Sequence, residues 1–256
     1  MIKQIWLKEI KSELYTWKST AWLLIASLLF SFTSYLLLTN KELSLLDQTE
    51  LLWILSEIII GVALLIVVID ASSIINSEFE KETAETMFLS PMSLKDFIVG
   101  KLLASLSLWA AVFVVAIPYI IVVASGTNLA LPFLLFTAIL GTLGIVGFIG
   151  ITFAISLLYR SVKNTLTTSL ILLLVFSVPA FFSSTLKNNT AAIWFGKINP
   201  VDNIFSSLDN VLVDYHTSIA QNLNYIIPLL LFCAVGLAAL WISAGYFKKQ
   251  GVIKSN

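Results

Sequence analysis

Six stretches of this chain are apolar for long enough to cross a lipid bilayer, and that property removes most folds from consideration. They run over Thr20–Leu38, Leu51–Ile75, Leu102–Ala124, Pro132–Tyr159, Thr165–Phe182 and Leu223–Gly245. About 20 apolar residues span the hydrocarbon core as a helix. Only 12% of the 256 residues are charged, against about 25% in a soluble domain. The sequence therefore predicts an all-α integral membrane protein with six transmembrane helices. Formal net charge is zero, which makes nucleic acid a poor candidate partner. The single cysteine, Cys233, lies inside the last apolar run and has no second thiol to pair with.

Basic residues orient the spans. With the amino terminus in the cytoplasm, the inner segments hold Lys3, Lys8, Lys11, Lys18, Lys81, Lys95, Lys101, Arg160, Lys163, Lys248, Lys249 and Lys254. The outer segments keep Lys41, Lys187 and Lys197. This asymmetry is the positive-inside pattern, so both termini are expected in the cytoplasm of a cell membrane, most simply a bacterial plasma membrane. The first apolar run follows a charged segment and lacks an obvious small-residue cleavage site, so it reads as a span. That leading segment, residues 1–18, places Ile2, Trp6, Ile10, Leu14 and Trp17 toward one helical face. It is expected to be an interfacial amphipathic helix, the alternative being a plain extension of the first span.

Two details inside the spans carry physical consequences. Gly141, Gly144, Gly147 and Gly150 recur every three residues in the fourth run. They read as a close helix–helix contact that drifts around the helix, or else as a place of bending. Glu57 and Asp70 interrupt the second run and lie about 20 Å apart along a helix, too far for a shared dyad. Each is expected to face protein, water or the membrane interface, since a carboxylate facing lipid is costly.

Between the second and third runs the chain turns polar. The stretch 76–101, "NSEFEKETAETMFLSPMSLKDFIVGK", carries Glu78, Glu80, Glu82, Glu85 and Asp96 with three lysines. Glu78, Glu82 and Glu85 share a helical face that continues to Leu89, and Pro91 interrupts it. A second helix leading into the third span can start with Pro91 at its first position or with Ser93 as its cap. Acids this dense do not help retain a loop in the cytoplasm, so docking to another cytoplasmic protein is the sharper reading.

The same stretch resembles the cytoplasmic loop of the permease subunits of type-2 ABC transporters, the ABC-2 family. Glu78, Glu80, Thr83, Glu85, Pro91, Ser93, Gly100 and Lys101 fit that family's scheme of acids, threonine, Pro-x-Ser and a closing Gly-Lys. Phe79 and Lys81 stand at its frequent arginine positions, and Glu82 where glycine is usual. The resemblance implies a transmembrane domain over 19–245, with a coupling loop at 76–101, an outer segment at 183–222 and a cytoplasmic tail at 246–256. It implies a coupling helix whose Glu78, Glu82, Glu85, Met87 and Leu89 contact an ATPase subunit, and a second identical or homologous permease subunit. No G-x-x-x-x-G-K-[ST] phosphate loop occurs here. The chain is therefore expected to be no enzyme by itself and to hold no cofactor or metal. ATP and magnesium would bind the separate ATPase.

The outer segment contributes "INPVDNIFSSLDNVLVDY". Ile204, Leu208, Val211 and Leu212 form one apolar side, expected to face the permease body as an outer gate, with Asp202, Asp209 and Asp214 in water. Asn199-Pro200 resembles a dipeptide frequent there in the family, where outer helices precede the last span; an ordinary surface loop is the alternative. His216 stands alone and offers no zinc-site spacing. Asn188 opens an Asn-Asn-Thr match to a glycosylation acceptor, a weak signal. The resulting expectation is an exporter of amphipathic peptide, drug or lipid-like cargo. The rival readings are an ion-gradient-driven secondary transporter or a non-transport membrane assembly protein. An intramembrane enzyme finds no convergent acid, histidine or nucleophile in the spans.

Overall fold

The computed structural model describes residues 2–14, 16–40, 47–81, 93–125, 127–181, 189–214 and 219–249. The elements in chain order are α1 (Ile2–Leu14), α2 (Trp17–Thr39), α3 (Gln48–Ile74), α4 (Asn76–Glu80), α5 (Leu94–Val123), α6 (Ala130–Tyr159), α7 (Val162–Ser177), a 3-10 turn (Val178–Phe181), α8 (Thr190–Ile198), α9 (Pro200–Leu212) and α10 (Ile219–Lys249). Among the described residues, six helices are long and apolar enough to cross a membrane: α2, α3 running on into α4, α5, α6, α7 and α10. Their outward faces are apolar as well as their inward ones; Leu28, Phe32, Ile139, Leu231 and Ile242 are all well exposed. A helix that is apolar all round belongs in lipid or in a large core. The protein is thus an all-helical, multi-pass membrane protein.

Span α3 is the axis of the bundle, packed against α2, α5, α6, α7 and α9. The most extensive contact joins α6 to α10, and glycine makes it possible. A Cβ on Gly150 would sit 2.6 Å from the Gly236 carbonyl carbon. One on Gly236 would collide with the Gly147 carbonyl oxygen, and one on Gly147 would lie 2.5 Å from the Phe232 ring. Backbone meets backbone here, the arrangement small residues permit between membrane helices. The same three-residue repeat turns the earlier glycines to other neighbours. Gly144 receives the tip of Ile204 from α9, and Gly141 lies under Trp109 of α5. The repeat drifts around α6 and serves three different partners.

Local capping sets several boundaries. Ser93 Oγ accepts from the Asp96 N–H at 3.1 Å and donates to Asp96 Oδ2 at 2.8 Å, which starts α5 eight residues before the apolar run. Asn199 Oδ1 accepts from Val201 N–H at 3.0 Å, and Pro200 occupies the first turn of α9. Asn199 Nδ2 donates to the Phe176 carbonyl of α7 at 2.8 Å, so the cap also ties α9 to a span.

Helix α1 lies across the start of α5 rather than extending α2. Its inward face is Ile5 and Glu9, with Trp6 and Ile10 at the margins, while Ile2 is exposed. The face expected from Ile2, Trp6 and Ile10 is therefore rotated. The cause is Gly100, where a Cβ would lie 2.6 Å from Ile5 Cγ2, so only glycine lets Ile5 seat there. Trp6 Nε1 donates to Ser107 Oγ at 2.9 Å on the same helix.

Candidate functional site at the root of the charged insert

Five helices meet where α3 ends, and their meeting point is polar. Asn76, at the start of α4, is fully buried. Its Nδ2 donates to Thr165 Oγ1 at 2.7 Å and to the Ser161 carbonyl at 3.2 Å, joining the insert to the first turn of α7. Glu80 Oε1 accepts from the Val162 N–H at 2.8 Å. That N–H is one of the donors a helix start leaves open, and an acid there also suits the helix dipole. Phe79 packs on Phe247 of α10 with ring centroids 5.4 Å apart, and the Arg160 guanidinium lies 4.9 Å from the same Phe247 ring. Arg160 itself closes α6 in the left-handed conformation, φ 52°.

Lys101 is the centre of this hub and is 1% exposed. Its Nζ donates to Glu78 Oε1 at 2.8 Å and to the Ile74 carbonyl at 2.7 Å, and lies 3.4 Å from Glu9 Oε1. A lysine has three donors, and three acceptors from α1, α3 and α4 surround this one. The Phe97 ring adds a face 5.0 Å away. The Ile74 carbonyl belongs to the last turn of α3, where a cation is favoured by the helix dipole. Glu9 is 4% exposed although it belongs to the short terminal helix.

Two carboxylates around one cation cannot both be charged without cost. Burial pushes the Glu9 carboxyl above its ordinary range; Lys101 opposes the rise and Glu78 adds to it. Folding thus penalises the charged form of Glu9 relative to the unfolded chain. A raised pKa contributes stability that is complete below the unfolded value and is lost as pH climbs through the folded one. Above the ordinary carboxyl value of about pH 4, wild-type thermal stability is expected to fall relative to a Glu9→Gln variant as pH rises. A difference that stays constant over that range would contradict the assignment.

The structure distributes the sequence-predicted residues unevenly. Glu78 is turned inward onto Lys101, with its side chain 13% exposed, instead of standing on an open face. Glu82, Glu85, Met87, Leu89 and Pro91 lie outside the described residues, as do Asn188 and His216. Ile204, Leu208, Val211 and Leu212 are all buried on α9, which is wedged against α3, α6, α7 and α10. Trp53 of α3 donates to the Phe205 carbonyl at 3.1 Å, fixing the wedge. The sequence places Asp202, Asp209 and Asp214 in water; Asp214 is exposed, but Asp202 and Asp209 are half-buried. Burial, then Asp214 and Glu50, push the Asp209 carboxyl up. Asp70 is buried within the bundle, and Glu57 is half-buried on α3.

Sequence reasoning did not find Glu9, Asn76 or Phe247, and it counted Lys101 among the inner basic residues and the family-like Gly-Lys without giving it a buried role. Their only signal was the Gly100-Lys101 pair, whose glycine admits α1 and whose lysine then reaches its glutamate. Among the described residues no group of acids, histidines or cysteines could hold a metal. Compared with known proteins, the chain matches no family model and no curated sequence.

Proposed function

We propose that this chain is the permease subunit of an ATP-driven transporter of the type-2 ABC class, exporting amphipathic or lipid-like cargo, with ATP hydrolysed by a separate polypeptide. The observation that carries the reading is the way the insert is rooted. Within three residues, Glu78, Phe79 and Glu80 engage α5, α10 and α7 respectively. A push or pull on the loop beyond Lys81 reaches several spans at once through these short contacts. A loop that merely connected two helices would need no such anchorage. In this reading Glu82, Glu85, Met87 and Leu89 form the coupling face and Glu78 transmits its movement inward.

Helix α1 fits an interfacial role, since exposed Ile2 and Leu7 alternate with Lys3 and Lys8. The distribution of basic residues sets both termini and the insert in the cytoplasm of the cell membrane. Helix α9 then lies at the outer end and acts as an outer gate. The chain works beside a second permease subunit and two ATPase subunits, which supply the ATP and magnesium.

Reversing Glu82 and Glu85 together to lysine tests the coupling face. Membrane insertion should remain intact, while ATP-dependent transport falls at least tenfold and ATPase association weakens. Normal assembly, ATP hydrolysis and transport in that variant would remove the docking face from the account.

A further inference from the structure

A lateral cavity of about 460 Å3 lies between α3, α7 and α9, away from the ionic hub. Its wall is apolar, including Leu65, Leu174 and Phe205, with Glu57 and Ser177 as its polar members. Leu65 and Leu174 are 45% and 56% exposed, so the cavity is open at that side. Gly61 forms part of the wall, and a Cβ built on it meets nothing within 4 Å. The eight residues from Glu57 to Leu65 separate the carboxylate from the far apolar end by about 12 Å of helix.

We propose that this cavity binds a cationic amphiphile, an aliphatic ammonium compound whose head meets Glu57 and whose chain lies along Gly61 toward Leu65. Two physical terms select this class. The apolar wall accommodates a hydrocarbon chain drawn from the surrounding lipid without burying a polar group. A carboxylate in such a wall attracts a cation more strongly than one in water, because Coulomb energy grows as the local dielectric falls. A neutral amphiphile gains the first term alone, and an anionic one is repelled. As a cargo site the cavity rests on the permease reading above; as a binding site it stands without it.

The test is equilibrium binding of decylammonium to the chain in neutral-lipid nanodiscs, corrected for uptake by empty nanodiscs, with decanol as the uncharged comparison. Wild type should bind decylammonium saturably. Glu57→Gln should weaken that binding at least tenfold and leave decanol unchanged. Gly61→Phe, which fills open space, should abolish binding of both while preserving helicity and thermal stability. Equal decylammonium binding by wild type and Glu57→Gln, or undiminished binding by Gly61→Phe, would overturn the proposal. So would a Leu65-to-Leu174 cross-link between two copies that persists in saturating decylammonium, since a second chain would then cover the cavity. The two readings fail separately. Saturable, Glu57-dependent binding in a chain that associates with no ATPase sinks the permease reading alone, and ATP-driven transport with no such binding sinks this one.

Discussion

Lys101→Met should be among the most damaging single substitutions in the protein, destabilising it by about 3–5 kcal/mol. The methionine fits the volume but leaves Glu9 and Glu78 facing each other in a site that is almost fully buried. It also strips the Ile74 carbonyl of its donor. A buried ion pair is costly to break from one side, because the remaining charge stays in low dielectric without a partner. Neutralising all three members together, as Lys101→Met with Glu9→Gln and Glu78→Gln, should recover much of the loss. Thermal unfolding in nanodiscs reads both variants. A single Lys101→Met variant as stable as wild type would show that the hub does not hold these helices together.

Gly150→Ala is the second large effect, and its sign is opposite to that of the same change elsewhere in the membrane. The new methyl would sit 2.6 Å from the Gly236 carbonyl carbon and 3.0 Å from the Leu237 nitrogen, which are backbone atoms that no rotamer change moves aside. The α6–α10 contact must open, at a cost of about 1–3 kcal/mol or more. Gly245→Ala provides the control, because its Cβ meets nothing within 4 Å. There alanine should be neutral or stabilising, by up to about 1 kcal/mol, since it is the better helix former. If both substitutions moved the unfolding temperature alike, close backbone approach would not be what holds α6 against α10.

The helices were legible because their signal is one-dimensional. Lipid demands long apolar runs, and six of them can be read without knowing any contact. The Ser93 cap was equally local, since a side-chain oxygen acts within three residues, whereas Asn199-Pro200 was read only as a family-like dipeptide and its cap on α9 is seen in the structure. The four-glycine repeat was legible as close contact, but its three partners were not. Drift around a helix says where neighbours change and not which neighbours they are.

The hub was hidden for a related reason. Glu9 and Lys101 are 92 positions apart, and each alone has an ordinary explanation, a polar helix face and a charge at a membrane edge. Nothing in either local pattern states that Gly100 lets one helix settle on the other. The face of α1 was misjudged on the same ground. Ile2, Ile5, Trp6, Leu7 and Ile10 allow more than one apolar side, and the glycine on α5 chooses among them. Glu78 shows the limit most clearly. Its spacing with Glu82 and Glu85 suggested an outward acidic face, while its nearest cation lies inside the protein.

The central question is whether this chain is driven by ATP through its insert. The most direct measurement is transport and ATP hydrolysis by the complex purified from its native membrane and reconstituted in sealed vesicles. The account predicts that a nucleotide-binding polypeptide accompanies the chain in equal amount. Cargo movement should require ATP and magnesium, and Glu82→Lys with Glu85→Lys should lower the movement at least tenfold and weaken the association. Cargo movement that follows an imposed ion gradient without ATP, by a chain carrying no nucleotide-binding partner, would contradict it.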